Sequence, residues 1–479
     1  MSRPIFKTTI SGVVLLSAIA LGGCDDDDNN TGAGGMRAVS PAADGVARLR
    51  VFHAVADAPN VNVLANGNAV LTNVPYGAAS ALVGVNPATY NVQVDGILPG
   101  GTATVIGPAG IPLADADITN VLAVNTLAAI EPLVVTVPDE TVGAGSVRLT
   151  VVHGAVAAPA VDVHVTAPGD ALGEPVGSFA FRENLGPVTV PAGSYRVRVT
   201  LAGTETVVFD TGAGGLALSG GSDLFLAAIA NTGPGASPIQ LLVADGEGSA
   251  ILRDAATPAA LKVVHAAPTV GDAEVFVSSA SLGLDDVELV DTIEYLQIIP
   301  SASSAVNVDA ANDYRVKVAQ AGTGADAALI DVAGVALSAG TAYTVVASGG
   351  SNGTAAQLLL TADDNRAIAT EARVKVVHAA PDAGAVDVYV TAAGAASPAD
   401  ILNGDVTPVL DNFVFGNITP YLSLAAGDYD IRVVAGDGTL LAIDTSVTLS
   451  NGLVATAIAY GPDAVDNTPA GFGLLLTTN

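Results

Sequence analysis

One short sequence pattern occurs four times along the chain and limits the folds that the chain can adopt. Its copies read "RLRVFHAVADAPNVNV", "VRLTVVHGAVAAPAVDV", "ALKVVHAAPTVGDAEVFV" and "ARVKVVHAAPDAGAVDVYV". The histidines of the four copies follow one another at intervals of 100, 112 and 113 residues and are His53, His153, His265 and His378. A repeat with this period predicts four similar structural units in tandem.

Two further markers recur in each copy. The segments "ATYNVQV", "GSYRVRV", "NDYRVKV" and "GDYDIRV" each place a tyrosine at the head of an alternating strand, namely Tyr90, Tyr195, Tyr314 and Tyr429. A turn and a long apolar strand follow, as in "LSGGSDLFLAAIANT". About seven short strands per copy, separated by Gly, Asn, Asp and Pro turns and without sustained helical periodicity, are typical of an immunoglobulin-like β-sandwich.

The sequence therefore predicts an all-β chain of tandem immunoglobulin-like antiparallel β-sandwiches. The predicted boundaries are 46–143, 144–254, 255–368 and 369–479. Short joints such as "DETVGAG" and "RDAATPA" favour a semi-rigid rod in which the sandwiches follow one another in a row.

The "VVHAAPDAGAVDVYV" type of motif resembles a bacterial domain of unknown function, the family numbered 4397. Members of that family typically read Val-Val-His-Ala-Ser-Pro-Asp-Ala-Pro-Ala-Val-Asp-Val, and the resemblance covers essentially all of residues 45–479. The second copy departs most, with Ala157 where the first and fourth copies have Asp57 and Asp382, and the third has Thr269 there. The resemblance implies an extracytoplasmic β-rich module without an agreed activity.

Alternation along a strand assigns the histidines to the core side. His53 shares a face with Val51 and Leu49, and the other copies follow the same pattern. A neutral imidazole at this position can donate to one carbonyl and accept one N–H, which would fix the loop that follows. A metal site is the alternative, but each unit supplies one such histidine and only the second has another, His164.

The tyrosines have a similar interpretation. A tyrosine that opens a strand after a turn resembles a tyrosine corner, in which the hydroxyl is tied to the nearby backbone. A ligand-stacking role is the alternative. The His and Tyr markers are therefore predicted to be structural residues.

Basic residues gather on the outer faces of these strands. Six lie on the outer face of the histidine strands and five beside the tyrosines: Arg48, Arg50, Arg148, Lys262, Arg373, Lys375, Arg196, Arg198, Arg315, Lys317 and Arg432. Asp162 and Asp387, in the triplets eight to ten residues after the histidines, also face outward. A hairpin between these strands would pair them with Arg148 and Lys375.

The N-terminus has the features of a lipoprotein signal. Arg3 and Lys7 precede the apolar stretch "ISGVVLLSAIAL", which is followed by "LGGC". This resembles the lipobox of bacterial lipoproteins, in which the final cysteine is lipidated. Residues 1–23 are thus predicted to be a signal peptide, Cys24 the lipidation site and 24–45 a disordered acidic tether. The expected location is extracytoplasmic and membrane-anchored, at the cell surface or facing the periplasm.

Charge excludes several classes of partner. The formal charge is −30, and without Arg3 and Lys7 it is 15 basic against 47 acidic residues, or −32. Such a surface repels nucleic acid and anionic headgroups. It could attract calcium through loop acids in "LADADIT", "VADGEGS", "LGLDDVELVD" and "TADDNRA", although no EF-hand loop is present, and solvated turns are the alternative.

No catalytic motif appears. The chain has no Gly-x-Ser-x-Gly elbow and no phosphate-binding loop, and Cys24 is its single cysteine. Tryptophan is absent and aromatic residues total 4%, which argues against a sugar-stacking platform. The sequence favours a structural or adhesive envelope protein whose partner is a surface protein or a polysaccharide. A calcium-dependent or polymer-binding module and an extracytoplasmic hydrolase are the alternatives.

Overall fold

The structure is a computed structural model that describes residues 45–300, 305–351, 353–435, 440–462 and 471–478. The predicted signal peptide, Cys24 and almost all of the predicted tether lie outside these residues.

Strands make up most of the described chain, and they group into four sandwiches in chain order.
Sandwich 1 contains β1 (Ala47–His53), β2 (Val61–Ala65), β3 (Asn68–Val74), β4 (Val83–Val85), β5 (Ala88–Leu98), β6 (Gly101–Leu113), β7 (Asp117–Val124) and β8 (Glu131–Pro138).
Sandwich 2 contains β9 (Ser146–His153), β10 (Val161–Thr166), β11 (Gly177–Phe179), β12 (Asn184–Pro191), β13 (Gly193–Leu201), β14 (Val207–Asp210), β15 (Leu216–Leu218), β16 (Asp223–Ala230), β17 (Ile239–Ala244) and β18 (Ser249–Leu252).
Sandwich 3 contains β19 (Ala259–Ala266), β20 (Ala273–Ser279), β21 (Leu284–Ile293), β22 (Ile298–Ile299), β23 (Val306–Val308), β24 (Ala311–Gln320), β25 (Ile330–Leu337), β26 (Ala342–Ser348) and β27 (Gln357–Asp363).
Sandwich 4 contains β28 (Ala372–His378), β29 (Val386–Ala392), β30 (Leu410–Phe413), β31 (Leu422–Leu424), β32 (Gly427–Ala435), β33 (Leu440–Leu449), β34 (Val454–Tyr460) and β35 (Gly473–Thr478).

Helices are short in the described part of the chain. The α-helix α1 spans Pro398–Leu402, and single 3₁₀ turns span Leu127–Ala129, Ala325–Ala327 and Pro381–Ala383. None of them has the length and hydrophobicity that crossing a lipid bilayer requires. The prediction of an all-β chain of sandwiches is confirmed.

Each sandwich has two sheets, which we name after the repeat marker that each contains. The histidine sheets have the orders β4-β1-β7-β8, β12-β9-β16-β17-β18, β22-β19-β26-β27 with β23 also on β19, and β31-β28-β34-β35. The tyrosine sheets have the orders β3-β2-β5-β6, β11-β10-β13-β14 with β15 also on β13, β21-β20-β24-β25, and β30-β29-β32-β33. Every strand pairing among the described residues stays within one sandwich.

One pairing in each sandwich is parallel, whereas the sequence predicted antiparallel sheets throughout. The histidine strand β1 runs parallel to β7, with Arg48 opposite Ile118 and His53 opposite Ala123. The strands β9, β19 and β28 pair in the same way with β16, β26 and β34. Parallel neighbours need a long crossover, and the intervening tyrosine sheet provides it.

The two sheets of each sandwich enclose an apolar core. In sandwich 1, Leu49 and Val51 from the histidine sheet pack against Val61, Val63 and Val92 from the tyrosine sheet. Valine dominates because β-branched side chains fit the pleated surface of a strand. Sandwiches 2 and 3 also enclose apolar clusters between their two sheets.

The outer faces of the histidine sheets are also covered, because consecutive sandwiches pack these sheets against each other. Phe52 and Leu122 of sandwich 1 share one buried cluster with Phe225 and Leu242 of sandwich 2. The Phe52 and Phe225 rings lie 4.8 Å apart at an angle of 38°. Sandwiches 3 and 4 meet in the same way through Val264, Val346, Val377 and Ile458.

The two interfaces between sandwiches have equivalent hydrogen bonds at their edges. The Tyr76 hydroxyl of sandwich 1 donates to the carbonyl of Ala230 in sandwich 2 at 2.6 Å. The Tyr295 hydroxyl of sandwich 3 donates to the carbonyl of Gly461 in sandwich 4 at 2.8 Å. Sandwiches 1 and 2 therefore form a first pair, and sandwiches 3 and 4 form a second pair built in the same way.

The pairing corrects the expectation of a rod with sandwiches in a row. Face-to-face packing removes a whole apolar sheet face from water, which end-to-end contact through short joints cannot do. The pairs also contact each other. The amide of Ala369, in the joint between sandwiches 3 and 4, donates to the Asp57 carbonyl of sandwich 1 at 2.8 Å, and the Arg366 guanidinium lies 5.2 Å from the centre of the Tyr76 ring.

Truncation of Phe52 tests the pairing. Its side chain is fully buried although it lies on the outer face of its own sandwich. We expect Phe52→Ala to lower the free energy of unfolding by about 3–5 kcal/mol, as for a core phenylalanine. Val70→Ala, at a position 47% exposed, is the control and should change it by less than about 1 kcal/mol. A similar, small loss for both variants in denaturant titrations of the full chain would contradict face-to-face packing.

Candidate functional site

The four repeated histidines occupy equivalent places, at the C-terminal end of the first strand and beneath the loop that follows. All four are 1–3% exposed. The Nε2 atoms lie 3.0 Å from the Pro59 carbonyl oxygen, 3.0 Å from that of Pro159, 2.5 Å from that of Gly271 and 2.8 Å from that of Gly384. A carbonyl only accepts, so Nε2 carries the proton and donates, which leaves Nδ1 as an acceptor.

In three sandwiches the Nδ1 atom is used as well. It accepts the backbone N–H two residues further on, from Val55 at 3.4 Å, Ala267 at 3.3 Å and Ala380 at 3.3 Å. One imidazole thus joins both ends of the loop to the strand. In sandwich 2, by contrast, the Nδ1 atom of His153 is buried and has no hydrogen-bond partner.

Burial makes His53 and His378 poor bases. Desolvation lowers the pKa of His53 from its ordinary value of 6.5 to about 4, against the opposing effect of its bond to Pro59. Desolvation also lowers the pKa of His378. An uncharged imidazole engaged on both nitrogens is suited to holding a loop and unsuited to transferring protons near neutral pH.

The repeated tyrosines lie at the start of β5, β13, β24 and β32, with their rings against the cores. Each hydroxyl donates to a backbone carbonyl four or five residues earlier, and these carbonyls belong to Asn86, Pro191, Asp309 and Ala425, at 3.1, 2.9, 2.8 and 2.9 Å. This is the geometry of a tyrosine corner. It ties the entry turn to the strand.

Five of the six basic residues on the histidine strands are buried instead of facing solvent, and the sixth, Arg48, is half-buried. Arg50, Arg148, Lys262, Arg373 and Lys375 are each 2–7% exposed. Burial lowers the pKa of Arg50 to about 10, although Asp223 and Asp245 oppose the shift. The Arg50 guanidinium lies 5.3 Å from the centre of the Phe52 ring and 5.4 Å from that of Phe225, so it belongs to the interface.

Lys375 is the most enclosed of these cations. Its ammonium donates to the Asp363 carboxylate at 2.8 Å, and both side chains are 3% exposed. It also donates to the Thr361 hydroxyl and the Ala362 carbonyl, and it lies 4.5 Å from the centre of the Tyr421 ring. The acid comes from sandwich 3 and the base from sandwich 4, so this charged group joins the second pair.

The predicted pairing of Asp162 with Arg148 and of Asp387 with Lys375 is wrong. Asp162 accepts from the Ser178 hydroxyl and the Gly203 amide, and Asp387 accepts from the Asn412 amide. The strands of each expected hairpin lie in different sheets, so their outer faces point in opposite directions. Cross-strand ion pairs form within the tyrosine sheets instead, between Arg196 and Asp210, Arg315 and Asp331, and Arg432 and Asp444.

Several loop acids considered as calcium ligands have protein partners. Asp115 accepts from the Gly45 amide, Asp245 from the amides of Glu247 and Gly248, Asp286 from Lys317 and Ser278, and Asp364 from Arg366 and Arg373. Among the described residues, no three His, Cys, Asp or Glu side chains come together in a metal-binding group. His164 bonds the Gly173 carbonyl and the Thr200 hydroxyl.

An aromatic residue at the edge of each histidine is a feature that the sequence reasoning missed. Tyr76, Phe181, Tyr295 and Phe415 contact the four histidines edge-on, at ring distances of 6.1, 6.5, 5.8 and 6.2 Å. Odd copies have tyrosine, whose hydroxyl crosses to the partner sandwich, and even copies have phenylalanine. The segments "VPYGAAS", "FAFRENL", "IEYLQII" and "FVFGNIT" carry this alternation, which distinguishes the two members of a pair.

Comparison with protein families gives a match to one model, "Domain of unknown function (DUF4397)", over residues 47–164 and 259–389. These two regions make up slightly more than half of the chain. The chain belongs to the DUF4397 family. Each match begins at the first strand of a pair and ends in the second strand of its partner sandwich, β10 or β29.

Other comparisons add no function to this DUF4397 protein. The Bacillus anthracis TIE protein aligns at 11% identity over 88% of this chain and 69% of that one, with a TM-score of 0.15. A Bacteroides fragilis structure described as a candidate cell adhesion protein aligns at 9% identity over 46% of this chain and 97% of that one, with a TM-score of 0.13. At such scores neither alignment bears on the fold. No curated protein matches the chain.

Histidine protonation gives a pH test of the loop-holding role. The folded-state pKa of His53 lies below its ordinary value of 6.5, so the unfolded chain binds the proton more tightly. The stability from this residue is therefore complete above about pH 6.5 and is lost as the pH falls towards about 4, by roughly 3 kcal/mol. His53→Gln keeps a donor for the Pro59 carbonyl but does not titrate in this range.

The measurement is the melting temperature of this DUF4397 protein and of the His53→Gln variant between about pH 7 and about pH 4. The difference between the two proteins should shrink as the pH falls. A constant difference would show that His53 titrates normally in the folded chain.

The buried ion pair gives a second test. Lys375→Met keeps the length of the side chain but leaves the Asp363 carboxylate buried without its cation, so we expect a loss of about 3–5 kcal/mol in the free energy of unfolding. The double variant with Asp363→Asn should recover most of this loss. Arg315→Met, in an ion pair with both partners at least 39% exposed, should change stability little. An equal effect of Lys375→Met and Arg315→Met on chemical denaturation would contradict the assigned role.

Proposed function

We propose that the chain is a lipid-anchored protein of the bacterial cell envelope with a structural or adhesive role and without catalytic activity. In this proposal Cys24 carries the lipid, residues 24–45 provide reach, and the four sandwiches present their exposed surfaces away from the membrane. The location is extracytoplasmic, and the partner is a surface protein or a polysaccharide rather than nucleic acid.

One observation supports this proposal above all others. The polar side chains that recur in the repeats are used inside the protein: the histidines hold loops, the tyrosines hold turns, and the cations of the histidine strands lie between sandwiches. A repeated catalytic site would instead leave recurring groups free in a cleft, with pKa values near the working pH. The recurring histidines, tyrosines and cations stabilise the fold. The function therefore belongs to the surfaces that differ between the copies.

The net negative charge favours a protein whose outer surface is exposed to water. The excess of acidic over basic residues is large, and five of the six basic residues of the histidine strands are buried, so the outer surface is strongly acidic. Like charge keeps such a surface free of non-specific association and repels nucleic acid and anionic lipid. The calcium-dependent alternative has weaker support, because several candidate loop acids already accept hydrogen bonds from the protein.

Fractionation tests the anchor. In a bacterial host with lipoprotein processing, the unmodified chain should be recovered with the membranes, and Cys24→Ala should move it out of the membrane fraction. Recovery of both proteins in the membrane fraction would contradict anchoring through Cys24.

Protease treatment of intact cells tests surface exposure. External protease should remove the sandwiches from the anchored protein, since an adhesive role requires access from outside. If digestion requires opening of the outer membrane, the adhesive role is wrong, and a scaffold within the envelope takes its place.

A further inference from the structure

The interior of sandwich 2 differs from those of the other three. Between its sheets lies a cavity of about 450 Å³, whereas the corresponding spaces in sandwiches 1, 3 and 4 measure about 10, 20 and 60 Å³. Ligand-binding pockets typically measure about 300–1,000 Å³, and an apolar cavity of about 150 Å³ already admits a benzene-sized molecule. The cavity of sandwich 2 is thus large enough for a ligand.

Local strand structure accounts for the difference. In sandwiches 1, 3 and 4 the strand after the tyrosine strand is continuous, as β6, β25 and β33, and its side chains line the small residual space. In sandwich 2 the segment "TGAGG" divides this strand into β14 and β15, and neither piece lines the cavity. The space therefore follows from the sequence of this copy.

The residues that line the cavity determine which kind of ligand it can hold. It is aliphatic and aromatic apart from two polar side chains, His153 and Tyr195. The Tyr195 hydroxyl already donates to Pro191, and the Nε2 atom of His153 already donates to Pro159. The Nδ1 atom of His153 has no partner but is itself buried, so the wall that the cavity presents to a ligand is apolar.

The shape of the cavity favours a ligand that is a long, single hydrocarbon chain. Lining residues extend along β9 from Leu149 to His153 and along β10 from Val161 to Val165, which is about 13 Å at the usual rise of a strand. Val176, which is 51% exposed, and Pro191 also line the space, so it opens between the edge strands β11 and β12. A single chain can enter there and extend between the sheets.

We propose that sandwich 2 binds a single-chain apolar molecule, as in a fatty alcohol or a fatty acid. The chain fills the space between the sheets, and the head group stays in water at the opening beside Val176 and Pro191. Neither step depends on lipid anchoring or on the location of the protein.

The test is the displacement of a fluorescent fatty acid from the delipidated full-length chain, with dodecanol, dodecyl methyl ether and butanol as competitors. Dodecanol and the ether should each displace one probe molecule per chain with similar affinity, because the apolar wall selects the chain and not the head group. Butanol should compete at least about 100-fold less well, because it has far fewer methylene groups to bury. No displacement by dodecanol, or equal competition by butanol, would overturn the proposal.

Matched substitutions in two copies test the location. Val163→Phe places a ring in the cavity and should abolish probe binding without lowering the melting temperature. Val63→Phe makes the same change in the filled core of sandwich 1 and should lower the melting temperature by about 5 °C or more while leaving probe binding intact. Unchanged binding by Val163→Phe, or destabilisation of both variants alike, would overturn the location.

Discussion

Burial of the histidine sheets on both faces is the constraint on which the rest of the structure depends. A sheet with one wet face alternates apolar and polar residues, but β7, β16, β26 and β34 are buried along nearly their whole length. Such strands need a cover on each side. The tyrosine sheet of the same sandwich covers one side, and the histidine sheet of the neighbouring sandwich covers the other. Pairing is therefore part of how each sandwich is stabilised.

The charged residues follow from this constraint. Cations on the outer faces of β1, β9, β19 and β28, among them Arg50, Lys262 and Lys375, become buried when the sheets meet, and an unpaired buried charge is strongly unfavourable. The structure satisfies them locally. Arg148 pairs with Asp223, Arg373 with Asp364, and Lys375 with Asp363. Arg148 and Asp223 belong to the same sandwich, whereas the ion pairs of Arg373 and Lys375 cross from sandwich 4 to sandwich 3 and add directional contacts to the apolar packing.

Much of the architecture could be read from the sequence, because alternation and turn residues act locally. The period of two assigns His53 to the side of Val51, and the turn before Tyr195 fixes that strand entry. The pairing of sandwiches could not be obtained in this way, since Arg50 looks like a solvent-facing residue until a second sheet covers it. The sequence nevertheless contains a pattern that indicates the pairing of sandwiches. The run "DLFLAAIA" is apolar without alternation, which is typical of a strand buried on both faces.

The cavity could not have been anticipated from the repeat pattern, because the pattern emphasises what the copies share. Sandwich 2 retains the histidine, the tyrosine and the apolar strand, and it differs in the division of one strand and in the free Nδ1 atom of His153. An internal space of this size would weaken an isolated sandwich, since each lining side chain loses packing partners. In this chain, Val152 on β9 is also packed from outside by sandwich 1, in the cluster that contains Phe52 and Phe225. Pairing thus supports one wall of the cavity from behind, so that the second copy can depart from the common core while the fold of the pair is maintained.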